Sequence, residues 1–438
     1  KAMRIAALPR AFVRAVEPFR SCFSPRQWPH FQRYLFGLMV THAGRNVQDI
    51  AALFVRGCDQ ATLNHFLADA PWSLGGLWAR LRALGKRTLE GLRPARVFFS
   101  LDDTVTPKPY GRRMAAAGYH YSSVARRAVW GHNAVAALVS AGTLAFVSGL
   151  ELYRPKRTCR GGGFRSKVDL ALAHLKEFVA PLGAAVTLLG DAWYFCHRLV
   201  HAAQERGMDW IFACKRNRRV VGQDRRRVTV SWLIKRLPLR PLRRVTLGQR
   251  QYYVASFLVK FPGIGKGQLV IGAEAPASGR AVRRRDLRAP ACNRQDWTAR
   301  TVLAQYLERQ RIEAFFKDAK LHLGLGEYRL RKAQGIQRHW ALVACAHAVL
   351  RRLAARRGWH RRTLTLGQTV QWLEDQTQEA AMRWAHRRGL RGVRWRSLFA
   401  RNSAIRNAWK GRGAGAGGMD GRGRGAGRAR ANSQSDFI

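Results

Sequence analysis

Apolar residues recur at helical spacing through the first 92 positions. In NVQDIAALF, Val47, Ile50, Ala51 and Phe54 fall at i, i+3, i+4 and i+7, one face of an amphipathic helix. Asp59 and Ser73 each precede a further such segment, and both are residue types that cap a helix start. From residue 96 the pattern changes to strands. ARVFFSLDDT is an apolar run that ends in two carboxylates. AVWGHNAVAALVSAGTLAFVSGL (128–150) holds no Asp, Glu, Lys or Arg and is long enough to cross a bilayer. Ser140-Ala141-Gly142-Thr143 is a turn signal inside it, so VAALVS and TLAFVS are predicted as a buried hairpin and no membrane span is expected.

A helix is predicted from about residue 165, then an apolar strand in AAVTLLGDAWYF (184–195), a helix in CHRLVHAAQERG and a strand in DWIFACKRN. A strand meander followed by alternating helices and strands predicts an α/β fold with a mixed sheet. Residues 219–297 interrupt the rhythm: VTVSWLI, QRQYYVASFLVKF and QLVIGAEA read as strands of a β-rich insertion. An apolar strand is expected ahead of NRQDWTARTV, yet residues 273–292 are Arg-rich and irregular, reading as a long exposed loop or a decayed segment. A helix resumes at Thr298 and is predicted to run to about Leu323. Another spans 335–358, its apolar face packed on the sheet. The boundaries that follow are a helical 1–92, suited to DNA binding or dimerisation, and a core in two parts, 93–218 and 298–357, around the insertion 219–297. A C-terminal helical region, 358–410, and a Gly/Arg-rich disordered tail, 411–438, complete the chain.

Charge alters this picture more than composition does. Against 79 Lys+Arg stand 26 Asp+Glu, a formal charge of +53, which calls for a polyanionic partner. Nucleic acid is the natural one, because each neutralised phosphate releases counterions. The excess is mostly Arg amid heavy Ala and Gly, as a GC-rich genome also produces, so basicity indicates phosphate binding and no particular chemistry. The seven cysteines are scattered, with no CxxC pair, which excludes a zinc ribbon or a disulfide framework and fits a reducing cytoplasm.

Against that basic background, a few carboxylates stand where they are costly. YLERQRIEAFFKDAK holds Tyr306, Arg309, Glu313 and Lys320 three, four and seven residues apart. At about 100° per residue the four fall within an arc of roughly 60°. Ile312, Phe315, Phe316, Ala319 and Leu323 form the adjoining apolar face. Read alone, this is a solvated, ion-paired helix surface. Asp102 and Asp103 end one apolar strand and Asp191 ends another, so they need neutralising by Arg or by metal. Asp191 by itself would serve equally as the cap of the next helix. Together, two strand-end aspartates and a helix glutamate suffice to hold a pair of Mg²⁺ ions, which prefer carboxylate oxygens and keep waters for phosphates. Such a pair can activate a hydroxyl and stabilise a leaving oxygen.

Tyr306-x2-Arg309-x3-Glu313-x6-Lys320 resembles, without a gap, the Y-R-E-K signature of DDE-superfamily insertion-sequence transposases. SLDDT (100–104) and LLGDAWYF (188–195) look like the first and second Asp motifs of that family. DDTVTPKPYG, GYHYS, VWGHN and FFKDAKLHLGLGEYRLRKAQGIQRH resemble one subgroup, and the likeness covers roughly residues 20–355. It implies an RNase H-like mixed sheet with a β insertion, preceded by a helical N-terminal domain. It also implies a metal-binding catalytic triad of Asp103, Asp191 and Glu313, with Asp102 as the alternative first Asp, on two Mg²⁺ or Mn²⁺ ions. Tyr306, Arg309 and Lys320 would contact DNA phosphates. Trp232 and Trp297 are candidates for stacking on a flipped base, or packing residues of the insertion. The implied activity is cutting at element ends and joining the 3′-hydroxyl to target DNA. The expected partners are double-stranded DNA and a second copy in the DNA complex, with the enzyme at the bacterial nucleoid. A catalytically silent DNA-binding descendant and a hydrolysis-only nuclease on the same fold are the alternatives.

Overall fold

The computed structural model describes residues 5–387 apart from 43, 56–58, 123, 160–162, 239–241, 277–281 and 358–363. The expected Gly/Arg-rich tail, and the end of the expected C-terminal helical region, lie outside the described residues.

Five helices come first: α1 (Arg10–Val16), α2 (Trp28–Val40), α3 (Val47–Ala52), α4 (Gln60–Ala68) and α5 (Leu74–Leu92). Their starts follow from capping chemistry. Asp59 accepts the backbone N–H of Thr62 at 2.6 Å and Ser73 that of Gly76 at 3.0 Å, as the sequence predicts. The core strands and helices are β1 (Arg96–Pro107), β2 (Gly118–Ser122), β3 (Arg127–Ala141), β4 (Leu144–Tyr153), α6 (Lys167–Glu177), β5 (Ala185–Gly190), α7 (His197–Glu205) and β6 (Asp209–Ala213). The predicted hairpin is β3 and β4, turning at Gly142, whose φ of 54° is one that glycine adopts without strain.

The stretch read from the sequence as an insertion holds β7 (Arg219–Val221), β8 (Arg227–Thr229), α8 (Val230–Arg236), β9 (Arg243–Leu247), β10 (Arg250–Phe261), β11 (Gly265–Glu274) and β12 (Pro290–Cys292). Then follow α9 (Ala299–Leu307), α10 (Gln310–His322), α11 (Ala333–Arg357) and α12 (Leu366–Arg387). The strands form one mixed sheet in the order β2-β3-β1-β5-β6-β12-β11-β10-β7-β8, with β4 beside β3 and β9 beside β10.

Three readings of the sequence are corrected. VTVSWLI is a strand only over Val228 and Thr229, the end of β8: Thr229 captures the N–H of Trp232 at 3.1 Å and starts α8, which buries Val230 and Ile234 four residues apart. Residues 273–292 are not a loop throughout. They end in β12, whose three residues are all buried and pair with Ile211–Ala213 of β6 on one side and with β11 on the other. This short strand splices the insertion into the core sheet, and its brevity hid it from an apolar-run test. The helix expected from Thr298 to Leu323 is interrupted at Glu308 and Arg309. There the backbone closes i to i−3 hydrogen bonds, Arg309 N to Tyr306 O and Ile312 N to Arg309 O, both at 3.1 Å.

What positions the site is the two-residue period of β1, which lies between antiparallel β3 and parallel β5. Val97, Phe99 and Leu101 are fully buried in a core shared with Leu170 and Leu175 of α6 and Leu199 of α7. The alternate residues, Ser100, Asp102, Thr104 and Thr106, face the other side, where α9, α10 and α11 lie. On that side α11 is buried nearly all round. Trp340, Leu342 and Val343 share one core with Phe31 and Tyr34 of α2, Phe66 of α4 and Leu150 of β4. The N-terminal helices therefore clasp α11 against the sheet. Close pairing of β1 with β3 depends on Gly131, where a Cβ would stand 2.2 Å from the Thr106 carbonyl oxygen. Among the described residues no helix is long and apolar enough to cross a membrane.

Candidate active site

β1 and β5 run side by side until Leu101 pairs with Gly190, the last residue of β5. Parallel partners in register point the same way, so the next residue on each, Asp102 and Asp191, emerges on the α9–α10 face. The acids of β1 are thus not at its end, as the sequence suggested. β1 continues to Pro107, and it is the neighbouring strand that stops. Asp191 folds back on its own loop, its Oδ1 accepting the N–H groups of Trp193 at 2.8 Å and Tyr194 at 3.3 Å.

Opposite these acids lies the α9–α10 joint. Arg309 donates from Nη2 to Asp102 Oδ2 at 3.1 Å and from Nη1 to Glu313 Oε1. Its side chain is 17% exposed, and Nε is buried without a hydrogen-bond partner among the described residues. Burial pulls the Arg309 pKa down, but Asp102, Tyr306, Glu313 and Asp191 outweigh it and leave it raised. Asp102 is pushed up to about 7, first by burial, then by the charge of Asp191, with Arg309 opposing. Burial also raises Asp191, again against Arg309. Tyr306 is raised by burial, with Asp191, Glu313 and Asp102 adding to it. The mutual influence of these groups defines one cluster with one cation at its centre. Lys320 lies farther along α10, exposed and without an ion pair among the described residues.

Asp103 points to the other face of β1. It shares the parity of Leu101 and faces the α6 side, where Lys167 pairs with it at 2.6 Å. Asn133 donates to it at 2.7 Å and Tyr194 OH at 3.4 Å. The structure therefore brings Asp102, Asp191, Tyr306, Arg309 and Glu313 together, while the Asp103 side chain leaves the opposite face of β1, its charge still raising Asp191 and Asp102. The signal that separates the two aspartates was present in the sequence: Phe99 and Leu101 mark the apolar parity, to which Asp103 belongs.

The two tryptophans that were candidates for base stacking or for packing both have close neighbours. Trp297 packs against the small core around Val302, with the guanidinium groups of Arg96 and Arg294 5.0 and 5.4 Å from its ring centre. Trp232 lies under Arg236 at 4.1 Å. Trp193 was not singled out by the sequence, yet it is 57% exposed, two residues past Asp191, with Lys167 and Lys215 ammonium groups 5.7 and 5.1 Å from its ring. Exposure beside a buried acid is what marks it, and periodicity does not report that.

An all-oxygen, carboxylate donor set suits Mg²⁺ or Mn²⁺. Burial first, and neighbouring carboxylate charge after it, lift Asp102 and Asp191, and a divalent ion would oppose both. Arg309 stands between Asp102 and Glu313, and among the described residues no three His, Cys, Asp or Glu side chains are placed to hold one ion. The donor chemistry fits such an ion.

A family described as DDE superfamily endonuclease matches residues 18–244, just over half of the chain and including Asp102, Asp103 and Asp191. A second, described as transposase DDE domain, matches residues 168–349, which include Asp191, Tyr306, Arg309, Glu313 and Lys320. No curated protein matches the chain. On the first of these matches, which takes in the strands that carry the aspartates, the chain belongs to the DDE superfamily of endonucleases.

Proposed function

We infer that the protein is a transposase that cuts DNA at the ends of its own element and joins the freed 3′-hydroxyl to target DNA. The observation that supports this most is the convergence of Asp102 and Asp191, one step past paired β1 and β5, on the joint that carries Tyr306, Arg309 and Glu313. Asp102, Asp191 and Glu313 would hold the divalent ions. Bound there, the ions supply charge neutralisation at the scissile phosphate and activation of the attacking hydroxyl. The chain's own groups do the rest. Arg309 offers a planar fork to backbone phosphate, and Lys320 a mobile point charge one face along. Exposed Trp193, flanked by two lysines, replaces Trp232 and Trp297 as the aromatic that meets the nucleic acid. Asp103 supports the site from behind by holding Lys167 and Asn133.

Catalytic silence was motivated by the irregular stretch 273–292, and that stretch ends in a buried strand paired to β6. A chain built to cut is the better reading. The test is nicking of supercoiled plasmid in Mn²⁺ and Mg²⁺, which needs no knowledge of the element ends. Glu313→Gln keeps the helix and hydrogen bonding but removes the charge, and is expected to lower nicking by about 10³-fold or more. Nicking equal to that of the unaltered protein would remove Glu313 from the site. Joined products from oligonucleotides bearing the element ends, against cut products only, separate a transposase from a hydrolytic nuclease.

A further inference from the structure

Carboxylates gathered in a half-buried cluster need positive charge among them. Here one guanidinium supplies it, bridging Asp102 of β1 and Glu313 of α10, with Asp191 and Tyr306 also acting on it. Arg309 is held by acids on one side, while its Nε is buried with no acceptor among the described residues. Its backbone forms the joint between α9 and α10, where i to i−3 bonds replace the regular helical ladder. A guanidinium is not deprotonated in a protein, so it gives up its place only by moving.

We propose that Arg309 is an internal cation lock: in the DNA-free protein its guanidinium stands between Asp102 and Glu313 in place of a divalent ion, and phosphate oxygens draw it away when DNA binds. This rests on the assignment of Asp102, Asp191 and Glu313 as the ion-holding acids. A phosphodiester accepts the two-pronged donor pair that the acids now accept, and it offers the acceptor that Nε lacks. Moving Arg309 from carboxylate to phosphate frees the acids at the moment the substrate arrives. Ion binding and DNA binding then strengthen each other, since any coupling between two ligands is reciprocal. The lock keeps the DNA-free enzyme poorly loaded with metal.

The experiment is a Mn²⁺ titration of the full chain without DNA, with free Mn²⁺ followed by electron paramagnetic resonance. Arg309→Gln is expected to bind Mn²⁺ at least about ten-fold more tightly than the unaltered protein, the effect of removing one competing close charge pair. Arg309→Lys keeps the charge without the two-pronged reach, so it should fall between the two; it decides the matter if the Gln variant fails to fold by circular dichroism. Adding Glu313→Gln to Arg309→Gln should cancel the gain. Binding by Arg309→Gln and Arg309→Lys no tighter than that of the unaltered protein, while Glu313→Gln weakens it, would overturn the lock and leave the acid assignment standing. If Glu313→Gln changes Mn²⁺ binding in neither background, the lock and the assignment beneath it both fall.

Discussion

Asp102→Asn should abolish metal-dependent nicking, by about 10³-fold or more, while Asp103→Asn should keep activity within about ten-fold. Adjacent residues of a strand point to opposite faces, so the two carboxylates never share a ligand. Asp102 lies on the face of Arg309 and Glu313, and its amide variant loses the charge that draws an ion into the cluster. Asp103 lies on the face of Lys167 and Asn133. Its amide variant leaves a half-buried ammonium without its counter-charge, a cost of about 1–3 kcal/mol in stability. The pair of variants thus separates in two assays, plasmid nicking and thermal unfolding. Asp103→Asn as dead as Asp102→Asn, with an unchanged melting temperature, would return the first ion-holding position to Asp103.

Held in EDTA, the unaltered protein is expected to lose stability relative to Asp102→Asn as pH rises from about 4 to about 7. The folded Asp102 carboxyl titrates near 7 because it is buried beside Asp191, against an ordinary value of 3.8. A carboxyl raised on folding holds a proton that the unfolded chain has released. Its stabilising contribution is complete below the unfolded value and is lost as pH climbs through the folded one. Roughly three units at about 1.4 kcal/mol each set an upper bound of about 4 kcal/mol. Asp191 shifts in the same direction. Carboxylates such as Asp169, held low first by the Ser166 hydroxyl, shift the other way, so the difference between the unaltered protein and Asp102→Asn is the quantity to measure. Denaturant unfolding at pH 5 and pH 7.5 supplies it. A pH dependence identical in the two proteins would mean that Asp102 is ionised in the fold without cost.

The elements most legible in the sequence were those set by local chemistry. Asp59 and Ser73 capped the helices they precede, and the uncharged run of 128–150 turned at Gly142 because that position takes a left-handed φ. Of the four residues grouped by spacing, Tyr306, Arg309 and Glu313 stand together and Lys320 lies farther along α10, although α9 ends between the first two. What the sequence hid was tertiary. Nothing local distinguishes Asp102 from Asp103 until the buried side of β1 is identified from Phe99 and Leu101. A three-residue strand such as β12 is too short for periodicity to register, and its apolar character matters only because β6 and β11 flank it. VTVSWLI satisfied a strand pattern, but only Val228 and Thr229 lie in β8, and the Thr229 cap turns the rest into a helix. Arg309 as the bridge between two acids needed the joint between α9 and α10, which the assumption of one continuous helix concealed.

Anomalous scattering from crystals of the DNA complex grown with Mn²⁺ addresses the assignment most directly. A peak in contact with carboxylate oxygens of Asp102, Asp191 and Glu313, with the Arg309 side chain turned to a phosphate, is the expected result. A peak bound to Asp103, or Mn²⁺ bound only at phosphates with Arg309 still bridging Asp102 and Glu313, would contradict it.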